Sequence, residues 1–346
     1  MDKIIRTALS SFGMSGAVFH APFLLAHPGF DIVKVLERSK NLSSEQLPKS
    51  TIVRSYDAIL KDKTIDLVVI NTPNYMHFDM ARMALQHGKH VLIEKPITPT
   101  AKEAIQLTQL GQKNGLVVAT YHNRRFDSGY KTLQAIIKNQ ELGAISSFES
   151  RFDRYRPTIG PKKWKEAPHP GAGILYDLGA HLIDEALSLF GTPDKIKATL
   201  EIQRKEGTVI DFFKLILIYP NMQATLSAGM LEKDPTPRYF IKGDKANFKK
   251  FGNDVQEAQL IEKASPLKDN WGEEHPKDWG LLFNDKAERK VRSQAGNYMD
   301  YFNNLFNAIV LKEPLVITTT DAINVIKVIE SAIESNKLKT TISVTF

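Results

Sequence analysis

Ile4-Ile5-Arg6-Thr7-Ala8-Leu9-Ser10-Ser11-Phe12-Gly13-Met14-Ser15-Gly16-Ala17 opens the chain with a short apolar run and a turn of small residues. A helix-like stretch follows, through Phe23, Leu24 and Leu25. Ile4 to Leu9 reads as a first strand. A G-x-G-x-x-G turn at this place lets a strand pass tightly into a helix whose N-terminus receives a pyrophosphate. Here Ser11 takes the first position, and Gly13 and Gly16 take the other two. The pattern is degraded, but its context supports it. After a turn at Pro28-Gly29 a second strand runs from Ile32 to Leu36, and Glu37 ends it 21 residues after Gly16. An acid in that place can accept hydrogen bonds from the ribose hydroxyls of a dinucleotide.

The same rhythm continues outward. Asp66 to Asn71, His90 to Glu94 and Leu116 to Tyr121 are short apolar runs with polar ends, as expected of buried parallel strands. Helical patterns lie between them. One spans Met76 to His87 and ends at Gly88; the next starts at Pro99 and Thr100, where Thr100 with Glu103 fits a capping box. This alternation predicts a doubly wound α/β domain with a parallel sheet over residues 1–122. The pattern then changes. After a helix near Tyr130 to Asn139 come alternating segments at about Ile145 to Arg154, Ile196 to Arg204, Asp211 to Tyr219, Gln223 to Leu231 and Tyr239 to Lys242. Strands without intervening helices predict an α+β domain with a large, mostly antiparallel open sheet over residues 123–346. Residues 252–297 read as polar and irregular, with Trp271 and Trp279 as anchors. Helices near Tyr298 to Leu311 and Asp321 to Ser335 and a last strand, Thr340 to Phe346, complete the reading.

Composition bounds the function. With 346 residues, 42% of them apolar and 25% charged, the chain has the make-up of a globular protein of about two domains. It has no cysteine, which excludes disulfides and thiolate metal or redox sites and favours a cytoplasmic location. Met1 to Ser10 lacks the long apolar core of a signal peptide, and no run reaches the length of a membrane span. The net charge of +7 is diffuse, and its densest patches, Lys162-Lys163-Trp164-Lys165 and Lys249-Lys250, are short. Neither a nucleic-acid nor a membrane partner is expected from that distribution. A solvated surface accounts for such charge, and a basic pocket for an anionic cofactor fits it equally well.

Three motifs can carry chemistry. Asn71-Thr72-Pro73-Asn74 and Glu94-Lys95-Pro96 each end a predicted strand at the edge where such sheets bind ligands. Proline holds Lys95 in a fixed loop, and a cis Lys95–Pro96 bond is an option there. The third is Gly171-Ala172-Gly173-Ile174-Leu175-Tyr176-Asp177-Leu178-Gly179-Ala180-His181, a flexible loop running into a helix. Asp177 and His181 are four residues apart and share one helical face. A carboxylate there can hold the imidazole in one tautomer and stabilise its protonated form, as a general base requires. Spacing alone fits an ordinary surface pair more often. No third ligand stands nearby to support a metal site.

Taken together, these residues resemble the Gfo/Idh/MocA family of nicotinamide-dependent oxidoreductases over nearly the whole chain. Longer strings are more specific: Gly13 to Pro22, Tyr121-His122-Asn123-Arg124-Arg125-Phe126-Asp127, Phe152-Asp153-Arg154-Tyr155-Arg156-Pro157 and Tyr176-Asp177-Leu178-Gly179. They are similar to the branch that includes NADP-dependent scyllo-inositol dehydrogenase. The resemblance implies a Rossmann domain followed by an α/β domain whose open sheet forms a subunit interface, hence a homodimer or homotetramer. It implies that Lys95, Asp177 and His181 meet at the nicotinamide. Phe12, Gly13, Met14, Ser15, Gly16, Glu37, Arg38, Thr72, Pro73, Asn74, His77, Glu94 and Lys95 are expected around the cofactor. Asn123, Arg154, Tyr155, Trp164 and Tyr176 are expected on the substrate side, with no metal. The substrate class implied is a polyol, cyclitol or sugar. Glu37 favours NAD, whereas Arg38, with Ser39 and Lys40 beyond it, favours NADP. Use of both is expected, with a lean to NADP from the resemblance. The rival functions are a non-catalytic nucleotide-binding regulator and an NAD-dependent glycosidase of the same fold.

Overall fold

The computed structural model describes residues 3–160, 166–234 and 236–346. Six strands form the first sheet: β1 (Ile5–Leu9), β2 (Phe30–Leu36), β3 (Thr51–Val53), β4 (Leu67–Ile70), β5 (His90–Glu94) and β6 (Val118–Tyr121). All are parallel, in the order β3-β2-β1-β4-β5-β6, so the order reverses between β1 and β4. The Rossmann expectation is met. Every residue of β4 and β6 is buried, which explains why they read as unbroken apolar runs.

Helices α1 (Ala21–Ala26), α2 (Asp57–Leu60), α3 (His77–Gln86) and α4 (Ala101–Asn114) connect the strands. The Thr100–Glu103 capping box that starts α4 is present, and Gly115 ends the helix in the left-handed conformation. The first turn differs from a plain strand-to-helix passage. Ser15–His20 forms a π-helical turn before α1, where Pro22 has no N–H to continue an α-helical ladder. Ser11 fits this turn without glycine. Its N–H donates to Asn71 Oδ1 at 2.9 Å, its hydroxyl to the Asn71 carbonyl at 2.8 Å, and Asn71 Nδ2 returns a bond to its carbonyl at 2.9 Å. Gly16 is obligatory, since a Cβ there would lie 2.6 Å from the Ser11 carbonyl oxygen.

The second sheet has nine strands: β7 (Ile145–Arg151), β8 (Lys195–Glu201), β9 (Phe212–Ile218), β10 (Gln223–Gly229), β11 (Tyr239–Gly243), β12 (Asn247–Lys250), β13 (Gly280–Phe283), β14 (Glu288–Val291) and β15 (Ile342–Ser343). Their order is β14-β13-β12-β11-β7-β10-β9-β8-β15, antiparallel throughout except for the parallel pair β7 and β10. Strand β8 alternates strictly, with Ile196, Ala198 and Leu200 buried. Along the chain of this half lie α5 (Ser128–Lys138), α6 (Ala180–Phe190), α7 (Gln256–Ile261), α8 (Met299–Val310) and α9 (Thr319–Leu338). Residues 252–297 are more regular than expected, since they contain α7, β13 and β14. Strand β14 escaped the reading because it is an exposed, charged edge strand, Glu288-Arg289-Lys290-Val291, with no apolar alternation. The last strand is only Ile342–Ser343, shorter than expected.

One apolar cluster joins both halves. Ile5, Leu9, Phe23 and Leu24 pack with Tyr298, Phe302, Leu305 and Phe306 of the α8 region. Phe23 stacks on Phe302 with centroids 5.2 Å apart and rings 9° from parallel. Helix α8 therefore covers part of the first sheet, although it is far away in sequence. Among the described residues, no helix is long and apolar enough to cross a membrane.

Candidate active site

Strand β5 delivers Lys95 to the carboxyl edge of the parallel sheet, followed by a cis bond to Pro96. The loop ending at Gly173 delivers Asp177 from the other half. Gly171 and Gly173 both have positive φ, and a Cβ on Gly173 would meet the Ile210 carbonyl oxygen at 2.8 Å. Lys95 Nζ donates to Asp177 Oδ1 at 2.9 Å and to the Asp177 carbonyl at 2.7 Å. The lysine side chain is 15% exposed and the aspartate 36%, so the pair faces a shielded opening. Asp177 lies in a second π-helical turn, Leu175–Gly179, which runs into α6. Such turns often mark functional sites.

His181 is the second residue of α6 and is 6% exposed. Among the described residues its buried Nδ1 has no hydrogen-bond partner. Burial holds the imidazole neutral well below the usual histidine range, reinforced by Lys95, Arg124 and His122, with Asp177 opposing. The expected hydrogen bond between Asp177 and the His181 ring is not formed. The ammonium of Lys95 takes the carboxylate instead, because a charge-assisted bond is stronger than one to a neutral ring. Two residues not singled out one by one from the sequence also lie here. Arg124 is buried, with Nη1 on Asp127 at 3.2 Å and Nη2 on Glu257 at 2.9 Å. His122 is buried, and among the described residues its Nδ1 has no hydrogen-bond partner, with Asp184 3.9 Å away. Their only sequence signal was membership of the string Tyr121 to Asp127.

The first turn offers an anion site. Among the described residues, the backbone N–H groups of Phe12 and Gly13 make no bond within the chain, and a Cβ on Gly13 would meet open space. Free N–H groups at the head of a helical turn suit a pyrophosphate, so the residues present fit a nicotinamide dinucleotide. Met14 is 45% exposed beside them. Ser15 turns inward and donates to Glu94 Oε1, which also pairs with His20 Nε2 at 2.9 Å. Burial would raise Glu94, but His20, Ser15 and Lys95 bring its pKa down to about 2. Glu94 is thus an ionised tie between the first turn and the strand that carries Lys95. Asn74 ties the halves, its Nδ2 donating to the Gly171 carbonyl at 2.6 Å. His77 is buried between the carbonyls of Thr72 and Pro96.

Glu37 does not stand free at the end of β2. Its carboxylate accepts from Leu42 N–H at 2.7 Å, Ser43 N–H at 2.9 Å and the Ser43 hydroxyl at 2.6 Å. Burial opposes its ionisation, but these bonds and Arg54 outweigh it and keep the carboxyl below its usual value. Arg38 is exposed, and among the described residues its guanidinium has no ion pair.

Of the residues expected on the substrate side, Asn123 is buried just after β6. Arg154 stacks on Phe152 at 5.3 Å, and burial lowers its pKa while Asp177 opposes. Tyr155 is 52% exposed, under the Lys233 ammonium at 5.3 Å. Tyr176 spends its hydroxyl proton on the Pro99 carbonyl at 3.2 Å, and burial pushes its pKa up to about 12. That hydroxyl ties two segments and has no proton left to donate to a substrate. Trp164 lies outside the described residues.

Comparison with known proteins matches both halves of the chain. A family model described as "Oxidoreductase family, NAD-binding Rossmann fold" matches residues 5–122, and "Oxidoreductase family, C-terminal alpha/beta domain" matches residues 134–344. The chain is 34% identical to scyllo-inositol 2-dehydrogenase (NADP(+)) IolW of Bacillus subtilis, over 98% of this chain and 95% of that protein. It is 34% identical to the uncharacterized oxidoreductase YdgJ of Escherichia coli, over 99% of each. A crystal structure of an oxidoreductase from Bacteroides fragilis superposes with a TM-score of 0.90 at 40% identity, covering 99% of this chain and 100% of that one.

Proposed function

The chain belongs to the Gfo/Idh/MocA family of oxidoreductases and is a dehydrogenase acting on alcohol groups, and we propose that Lys95 and His181 work at the reacting oxygen of a polyol, cyclitol or sugar. The observation that carries this reading is the meeting of Lys95 with Asp177 across 82 residues of sequence, beside a buried neutral His181. The IolW relative, named for scyllo-inositol and NADP+, supports a cyclitol or related polyol. A screen of inositols, inososes and aldoses with both cofactors tests the substrate class. No turnover of any of them with either cofactor would remove it.

When bound, the nicotinamide supplies the acceptor for the hydride that leaves the alcohol carbon. The chain handles the proton. His181 Nε2 takes it from the hydroxyl as the C–O bond gains double-bond character. Lys95 donates a hydrogen bond to the same oxygen and stabilises the charge that develops there. Asp177 holds the ammonium in place. The neutral state of His181 fixes the sign of the pH dependence. A base must be unprotonated, and its pKa lies below 6.5, so kcat/KM for oxidation stays level as pH falls through 6.5 and drops only at lower pH. A pH–rate profile tests this, and an acid limb centred at or above 6.5 contradicts the assignment.

The engaged carboxylate of Glu37 supports NADP, because its acceptor sites serve residues 42 and 43 rather than a ribose. Arg38 is then the group that meets a 2′-phosphate. Arg38→Ala is expected to lower the NADP:NAD ratio of kcat/KM by roughly 10- to 100-fold, the worth of a charge-assisted hydrogen bond. An unchanged ratio excludes Arg38 as the phosphate reader. The same reading takes the division near residue 122, a cytoplasmic location, and a homodimer or homotetramer formed through the outer face of the nine-stranded sheet.

A further inference from the structure

His77 opens α3, and its ring is only 1% exposed. Nδ1 lies 2.9 Å from the Pro96 carbonyl, and Nε2 lies 2.9 Å from the Thr72 carbonyl. Both partners are backbone carbonyl oxygens, which accept and never donate. A neutral imidazole carries one N–H. It would serve one carbonyl and turn a lone pair toward the other. In a dry site that leaves a buried acceptor unpaired and adds lone-pair repulsion. An imidazolium serves both. Burial lowers the ring's pKa and outweighs the carbonyls of Thr72 and Pro96, the Glu94 carboxylate and the Ile97 backbone, which press it up. Against that direction stand the two carbonyl acceptors, which a neutral ring cannot both serve. Glu94 faces it from β5 as an ionised group, itself held by Ser15 and His20. Asp79, on the same helix, is exposed and paired with Arg82.

We propose that His77 is a positioning residue that acts as an imidazolium, one cationic ring clamping the turn after β4 to the turn after β5. The proposal rests on the reading that Lys95 works at the reacting oxygen. Pro96 is the residue after Lys95, so the clamp sets where the lysine leaves its strand. Thr72 precedes Asn74, which holds the Gly171 loop on the substrate half. Loss of either carbonyl frees one turn relative to the other.

The test labels the full-length protein with 15N in its histidine rings only and reads ring nitrogen shifts across pH. The chain has nine histidines, and the His77 signals are those lost in both His77→Gln and His77→Asn. At pH 7 both His77 nitrogens are expected in the protonated range, and to remain there through the region near 6.5 where an ordinary histidine loses its proton. A neutral tautomer at pH 7 overturns the proposal. The kinetic arm uses His77→Gln, which donates from one amide nitrogen only. Its kcat is expected to fall, and its cofactor KM to rise, by about tenfold. The wild type should show a loss of activity on the alkaline side as the clamp deprotonates, in addition to any loss the variant shares through Lys95. Wild-type kinetics in His77→Gln at every pH overturn the clamp. Should Lys95→Met keep normal turnover, the catalytic reading fails while the nitrogen shifts still report on the ring.

Discussion

Replacing Lys95 by methionine is expected to lower turnover by roughly two to four orders of magnitude while leaving the dissociation constant of the cofactor within a few-fold. Methionine keeps an unbranched chain of similar length and removes the ammonium that bonds Asp177. The developing charge on the substrate oxygen then has no cation to receive it. His181→Ala is expected to act on the same scale, because the proton then has no acceptor at Nε2. The two variants should not add when combined, since both serve one oxygen. Steady-state kinetics with a polyol substrate, beside cofactor binding followed by fluorescence, separate chemistry from binding. Near-normal turnover in either variant removes that residue from the mechanism.

Glu185→Gln is expected to destabilise the fold by about 3–5 kcal/mol, the usual effect of breaking a buried ion pair from one side. Glu185 is fully buried one turn after His181. It accepts from Arg238 and from the Tyr239 hydroxyl at 3.0 Å, pinning α6 to β11. Arg238 is itself 5% exposed and also reaches Ser150. Glutamine leaves that guanidinium without a counter-charge in a dry site. A shift of the urea midpoint at unchanged slope measures the loss. The double variant Glu185→Leu with Arg238→Met should recover most of it, since removing both charges removes the desolvation cost. A single variant within 1 kcal/mol of wild type would show that water reaches the pair.

The strands of the first sheet were legible because burial on both faces leaves unbroken apolar runs such as Leu67–Ile70. The capping box at Thr100 was legible because it is local. The pairing inside the site was not. Asp177 and His181 share a helical face, but the partner that takes Asp177 is Lys95, 82 residues away in sequence. Nothing in a local spacing reports a distant ammonium. Glu37 shows the same limit. Its place at the end of β2 was readable, whereas its capture by Leu42 and Ser43 depends on how the following loop folds back. Edge strands such as β14 hide because exposure removes the alternation that would reveal them.

A ribosome making this chain completes Tyr121, the last residue of the parallel sheet, about 180 residues before it makes Phe302. At roughly 5–20 residues per second, the delay is on the order of ten seconds or more. Through that interval the apolar face formed by Ile5, Leu9, Phe23 and Leu24 lacks the ring stack that covers it in the finished molecule. The nascent parallel-sheet half therefore exposes an apolar patch until α8 emerges. A fragment ending near residue 122 would carry that sticky face permanently, and its natural fate in solution is aggregation.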